Sequence, residues 1–366
     1  MRVAVVWNDD HRGVINHFGQ PCPEKYGRKT VESVVAALQE GNHDTLLCEG
    51  DKGLLATLER FMPPDSQARP SGIVFNMAYG IQGECRYTHV PAMLEMAGVP
   101  YTGSSPLGHA LALDKAITKQ LIRDCGVPTP NFRVMRRGTE STGDLCFPLV
   151  VKPRHESTSF GLQLVYEPAQ LRQAVEVIVT QYAQDALVEE YIEGREICVA
   201  LLGNGELEAL PLVEQDFGER ETRLITWEDK MHMAVVEPQK ICPAQVGSNL
   251  ATILRDISVA TFRACRCRDY ARVDIRIDAP GTPLSWRSTR WPHSVSARLM
   301  SWPRKPPGTP SRVWSTVSST SPTRGISELA FPRPNNRQIA SGFIMPLGSV
   351  LRAVTFCRSY GSAEQQ

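Results

Sequence analysis

The chain is predicted to be an α/β protein that opens on a parallel sheet with helices on its faces, on three observations. Arg2–Trp7, Thr45–Cys48 and Ser71–Ala78 are apolar or β-branched runs of strand length. Between the first two, Thr30–Glu40 carries Val31, Val34, Val35 and Leu38 at helical spacing. Strands that alternate with amphipathic helices in this way build parallel sheets. The third observation is size, since 366 residues can bury a large core and divide it among two or three domains.

Composition narrows the class. With 42% hydrophobic and 22% charged residues the chain reads as soluble and globular, and no apolar run is long enough to span a bilayer. The N-terminus, MRVAVVWNDD, lacks the basic start and cleavage site of a signal peptide. The ten cysteines are scattered, as suits a reducing cytoplasm, and Cys265 and Cys267 are too close for a CxxC zinc site. The net charge of +1 hides an asymmetry: from Ala279 onward there are 11 Lys and Arg against 2 Asp and Glu, together with four of the six tryptophans.

Taken in order, the ends of the first and third strands place Asn8-Asp9-Asp10 and Asn76–Glu84 where ligands sit in parallel sheets. The former lacks the glycines of a dinucleotide fingerprint. A helix is expected around Val90–Met96, a tight turn at Tyr101–Ser105, and a further helix opened by Leu113-Asp114-Lys115 that stops at Cys125-Gly126. Gly-Val-Pro recurs at 98 and 126, each time after a helix, which is helix-ending chemistry and not an internal repeat.

The stretch Phe147–Val165, FPLVVKPRHESTSFGLQLV, reads as strand, hydroxyl-rich loop, strand, with Lys152 at the end of the first strand. Such a loop can fold N–H groups over phosphates while a fixed ammonium neutralises their oxygens; an ordinary hairpin with a surface lysine fits the residues equally well. Residues 163–186 read as a strand and an amphipathic helix. Ala186–Ile192 is apolar up to the acidic pair Glu189-Glu190, and Gly194-Arg195-Glu196 then turns into the strand Ile197–Leu202. That corner can serve an adenosine, with apolar Ile192 against the ring and a carboxylate on the ribose, or it is a plain polar turn. After a charged loop with Trp227–Lys230 and a helix over Val246–Cys265, alternation along Tyr270–Ile277 sets Arg272, Asp274 and Arg276 on one face. These make either an ion pair or a magnesium ligand beside an arginine that steadies a reacting phosphate.

In this order the motifs resemble the ATP-grasp superfamily, and within it the D-alanine–D-alanine ligases. The similar passages are Gly80–Lys115, Phe147–Gly161, Val188–Asn204, Trp227–Lys230 and Ala271–Asp274. The resemblance implies an ATP-grasp fold behind an N-terminal parallel-sheet domain. It divides the chain into a substrate domain over 1–105, a small ATP-grasp subdomain over 106–187, a catalytic subdomain over 188–283 and an aberrant tail over 284–366. It implies that Lys115 and Lys152 contact ATP phosphates beneath a flap holding Thr158 and Ser159, that Glu189 and Ile192 border adenine, and that Glu196 takes the ribose. Lys230 would reach the terminal phosphate, Arg272 would stabilise the tetrahedral intermediate, and Asp274 would be the first ligand of Mg2+ or Mn2+; Arg272, Ser159 and Lys230 form the implied catalytic set. The implied reaction joins a carboxylate and an amine at the expense of ATP, on small amino acid substrates, in the cytoplasm, with no membrane or nucleic-acid partner and a homodimer left open.

The sequence also departs from the family. Asn8-Asp9-Asp10 stands where the ligases have Gly-Gly, Tyr79-Gly80 replaces His-Gly, and the Gly-Glu-Asp-Gly turn reads Gly83-Glu84-Cys85-Arg86. Glu24 is the candidate for a carboxylate at the first substrate. The family's second and third metal ligands, Glu-x-Asn, should fall at positions 287 and 289, which hold Arg287 and Thr289. Permitted codons read in the neighbouring frame from residue 284 give Leu-Leu-Glu-Val-Asn, with the glutamate and asparagine at those positions. The tail is therefore read as out-of-frame translation after a slip near 282–284, expected to pack poorly because a Pro/Ser/Arg-rich segment without hydrophobic periodicity buries too little surface. The competing readings are a basic nucleic-acid-binding tail, an inactive nucleotide-binding protein, and a ligase for another amino or hydroxy acid pair.

Overall fold

The computed structural model describes residues 1–9, 25–230, 233–234, 237–278, 281 and 283–290, without the side chains of 286–290. The expectations for Glu24 and for the tail beyond Arg290 lie outside the described residues.

In chain order the elements begin with β1 (Arg2–Trp7), α1 (Arg28–Glu40), β2 (Asp44–Glu49), α2 (Leu54–Phe61), β3 (Gly72–Asn76) and α3 (His89–Met96). The strands form a parallel sheet in the order β2-β1-β3. Val3, Val5 and Trp7 of β1 pack on Val31, Val34 and Leu38 of α1, while Ala4 and Val6 on the other face meet Leu54 and Leu58 of α2 and Leu94 of α3. Alternating side chains thus feed two apolar layers, and the helices on both sides complete the three-layer arrangement expected from the sequence.

Helices α4 (Pro106–Leu113) and α5 (Lys115–Asp124) lead to a second sheet made of β4 (Phe132–Met135), β5 (Leu149–Pro153), β6 (Gln163–Val165) and β7 (Ala186–Glu190), with α6 (Pro168–Gln181) laid across it. Its order is β4-β7-β5-β6 and every pairing is antiparallel. Leu171, Ala174, Val175 and Ile178 of α6 close a core with Leu149, Val151, Ala186 and Val188. This sheet takes in residues through Glu190.

The third unit holds β8 (Arg195–Leu202), β9 (Glu208–Ala209), β10 (Val213–Asp216), α7 (Trp227–Lys230), β11 (Gln239–Ile241), α8 (Ser248–Ala264), β12 (Tyr270–Ile277) and β13 (Pro283–Arg290). Its sheet runs β11-β10-β8-β12-β13 with β9 on β8. Leu254, Ile257 and Phe262 of α8 pack on Ile197, Val199, Val273 and Ile275. Ile122 of α5 and Val127 join this core, so the helix opened by Lys115 is anchored in the third unit while its first residue reaches the second. Residues 284–290, assigned to the tail on sequence grounds, instead continue the sheet as β13. Their antiparallel register sets Arg287 opposite Asp274 and Thr289 opposite Arg272.

Candidate active site

The site is built where the second and third sheets meet. At the second sheet, β5 and β7 pair so that Val150 faces Glu189 and Lys152 faces Leu187. Glu189 is fully buried, its Oε1 in a short contact with Lys152 and its Oε2 2.9 Å from the Lys119 ammonium. Burial opposes ionisation of Glu189, but the two ammonium groups outweigh it and hold its carboxyl below the ordinary value. Burial lowers Lys119 to about 8, partly offset by Glu189 and reinforced by Lys152. The Lys119 Nζ also donates to Thr129 Oγ1 at 2.7 Å, which gives the buried cation a second partner. Glu189, expected beside the adenine, is therefore the anion between two buried lysines.

Lys115 lies apart from that cluster. Its ammonium donates to the main-chain oxygens of Pro153 and Arg154 at 2.9 and 3.1 Å and, more closely, to that of Glu156, so it fastens the loop leaving β5. Asp114 caps α5 through the N–H groups of Ala116 and Ile117 and also holds the Arg154 guanidinium at 2.7 and 2.9 Å. Burial works against the charge on Asp114, yet His155, Arg154 and the Ile117 N–H keep its carboxyl well below the usual range.

The flap follows. Thr158 and Ser159 take left-handed backbone angles, φ 53° and 60°, uncommon for non-glycine residues and concentrated at active sites and ligand clamps. Ser159 Oγ accepts a 3.0 Å hydrogen bond from Lys230 Nζ on α7, and the Phe160 ring lies 4.8 Å from that of Trp227. Lys230 and Ser159, far apart in sequence, are thus brought together across the gap between the two units.

Ile192 and Glu196 are joined by Arg276. This guanidinium, fully buried, donates to the Ile192 carbonyl at 2.8 and 3.1 Å, to the Arg223 carbonyl at 2.7 Å and to Glu196 Oε2 at 3.1 Å. Burial raises the Glu196 carboxyl, assisted by Asp274 and countered by Arg276 and Lys230. Asp274, Lys230, Arg272 and Glu196 therefore share one electrostatic neighbourhood. Within it Arg272 grips Asp274 with both ends of its fork, at 2.6 and 2.8 Å. Burial disfavours the charge on Arg272, but Asp274 holds it above the ordinary arginine value.

The sequence reading placed no role on Lys119 or Arg276. Lys119 stands one turn after Lys115 in a helix whose buried face also carries Ala116 and Ile122, and a lysine on an apolar face was the available signal. Arg276 was visible only as one member of an alternating strand.

Magnesium fits poorly. Asp274 is engaged by Arg272, the opposite register positions are Arg287 and Thr289, and no cluster of three or more His, Cys, Asp or Glu forms among the described residues.

An antiparallel clamp of two lysines, a hydroxyl-bearing flap and a carboxylate strand, behind a parallel-sheet domain, defines an ATP-grasp protein. The profile of the family "D-ala D-ala ligase C-terminus" matches residues 121–285. An uncharacterized protein of Sinorhizobium fredii, y4sG, is 71% identical over 78% of this chain and 85% of its own length. The D-alanine–D-alanine ligase of Pelotomaculum thermopropionicum is 30% identical over 73% of this chain and 82% of its own length. A D-alanine–D-alanine ligase from Bacillus anthracis, solved with ATP, superposes with a TM-score of 0.61 at 21% identity, covering 80% of this chain and 87% of that one, which shows the shared fold. The chain belongs to the D-alanine–D-alanine ligase family.

Proposed function

We propose that this chain descends from an ATP-dependent carboxylate–amine ligase joining D-alanine for peptidoglycan, and that as written it retains the nucleotide clamp while its metal end is incomplete. The Lys119–Glu189–Lys152 cluster, linked through β5 to the flap that meets Lys230, is the observation that carries the nucleotide half. In the reaction a carboxylate oxygen attacks the terminal phosphorus of ATP and the bond to ADP breaks. The acylphosphate is then attacked by an amine, which loses a proton as phosphate leaves and an amide forms. Lys152 and Lys230 neutralise phosphate charge, Thr158 and Ser159 present the flap, Glu196 meets the ribose, and Arg272 faces the oxyanion; most of the work is positioning and charge neutralisation. Lys115 contributes by shaping the loop beneath the flap.

The incomplete metal end rests on the register of β12 and β13, which brings a cationic residue type, Arg287, opposite Asp274. The family profile stops matching at residue 285, beside the proposed slip at 282–284, and this supports out-of-frame translation of the tail. The coding DNA tests it: the neighbouring frame must encode Glu-x-Asn at 287 and 289.

A ligase for a different acid is favoured by one feature. Tyr79, standing where the family has histidine, is buried in tilted and edge-on contact with Tyr26 and Tyr87, ring centroids 5.3 and 5.5 Å apart. ADP release with a panel of D- and L-amino and hydroxy acids, run on the chain and on a frame-restored version, tests both readings. Turnover with D-alanine supports the first, turnover with another acid alone the second, and no ADP from the restored version rejects ligase ancestry.

A further inference from the structure

The turn that departs from the family pattern, Gly83–Arg86, reaches across to the phosphate flap. Arg86 is buried, and its guanidinium meets Glu156 Oε2 at 3.0 Å with side chains only 4% and 11% exposed. Its other nitrogen donates to the His155 carbonyl at 3.3 Å, and the guanidinium lies 5.1 Å from the Tyr87 ring centroid. Next along the chain, the Tyr87 hydroxyl and Ser157 Oγ are 2.7 Å apart. Gln184 of the second unit donates to Glu156 Oε1 at 2.6 Å, so each oxygen of that carboxylate is held from a different unit.

The other end of this contact leads back to the parallel sheet. Gly80, at φ +75°, sits so close to Arg86 that a Cβ there would come within 2.0 Å of the Arg86 carbonyl oxygen; only glycine permits the approach. The Gly80 N–H donates to Asn8 Oδ1 at 2.9 Å, at the carboxyl end of β1. A continuous path therefore runs from the end of β1 through Gly80 and Arg86 to Glu156 and Ser157, immediately before Thr158 and Ser159.

We infer that Arg86 and Tyr87 are positioning residues that set the phosphate flap from the N-terminal domain, so that order at the carboxyl end of β1 and nucleotide binding under the flap are energetically coupled. Neither residue touches the reacting groups; both act through Glu156 and Ser157. The argument rests on the reading that this flap covers ATP phosphates. A buried ion pair whose members are also held by the His155 carbonyl and by Gln184 is suited to the role, because breaking it from one side leaves an uncompensated charge next to the flap.

The test uses the full chain and two readouts: ATP affinity by calorimetry, and hydrogen exchange of the amides over 157–162 without nucleotide. R86E and E156R are each expected to weaken ATP binding by at least about tenfold and to speed flap exchange, since each leaves a buried charge unpaired. The exchanged pair R86E/E156R should recover most of both losses, a rescue that simple damage to folding would not give. Y87F, which removes one hydroxyl, should weaken binding about threefold to tenfold with its fold intact. Unchanged flap exchange in folded Y87F and R86E, or a double variant no better than the worse single one, overturns the coupling. Should the unaltered chain bind no ATP, the nucleotide reading fails, while the exchange measurements still decide whether the N-terminal domain orders the flap.

Discussion

The two ends of the proposed site differ in how their charges are completed. At the β5–β7 end, one fully buried carboxylate lies between two buried ammonium groups, and Lys119 has a hydroxyl partner as well. At the β12–β13 end, the one carboxylate is closed on its own strand by Arg272, two residues before it, and the neighbouring strand contributes Arg287 and Thr289 in register. The first end depends on residues before position 190, while the second needs side chains from beyond 283. A change of sequence near 282–284 leaves the former intact and leaves the latter with no carboxylate from β13, yet the backbone of β13 still pairs, because main-chain hydrogen bonding is indifferent to side-chain identity.

Four perturbations can break or sharpen this contrast. The largest effect is expected from R287E/T289N, or from restoring the frame through the tail. Each is expected to raise ADP release with a productive acid by at least about tenfold over the chain as written, since ligand sets control metal-dependent activity on that scale. A coupled assay of ADP formation measures it, and equal rates would place the defect elsewhere.

Next in size is E189Q, which leaves two buried ammonium groups facing each other and is expected to cost about 3–5 kcal/mol of stability by urea unfolding. D274N should cost less, because the Arg272 and Asp274 side chains keep 13% and 11% of their surface exposed whereas Glu189 keeps none. A larger loss for D274N would reverse the ranking of the two ends.

The third is a pH dependence. The folded chain holds Lys119 at about 8 against the ordinary 10.5, so it releases that proton before the unfolded chain does. Unfolding free energy should therefore rise with pH from about 8 to 10.5 and level off above, and K119M should lose that rise. Melting curves collected between pH 7 and 11 decide it; an identical slope in K119M refutes the assignment. The smallest effect belongs to S159A, which removes the acceptor of the Lys230 hydrogen bond and should shift stability by no more than about 1 kcal/mol while weakening ATP binding measurably.

Much of this architecture could be read from residue patterns. The parallel sheet followed from the apolar runs and the valine spacing in α1, and the flap from Ser157-Thr158-Ser159 between two apolar stretches. Gly98 and Gly126 do take positive φ, 69° and 74°, with no atom near a would-be Cβ, so conformation alone selects glycine there. Helix α2 escaped notice because LLATLERF spans barely two turns, too short for periodicity to stand out. Helix α4 carries no such signal either, since PLGHALAL is apolar nearly all round and lacks a polar face. Strands β9 and β11, of two and three residues, owe their form to partners distant in sequence, and no local signal marks them. At the site, residues on one strand or one loop were legible. Pairings that require two units to meet, such as Lys119 with Glu189, Lys230 with Ser159 and Arg276 with the Ile192 carbonyl, depend on tertiary placement.

The most direct test of an intact nucleotide clamp with an incomplete metal end is calorimetric titration of ATP into the chain and into R287E/T289N, each with and without Mg2+. The account predicts that the chain binds ATP with an affinity that changes little when Mg2+ is added, and that R287E/T289N gains at least about tenfold from the metal. Strong Mg2+-dependent ATP binding by the chain itself, or no ATP binding by either protein, would contradict it.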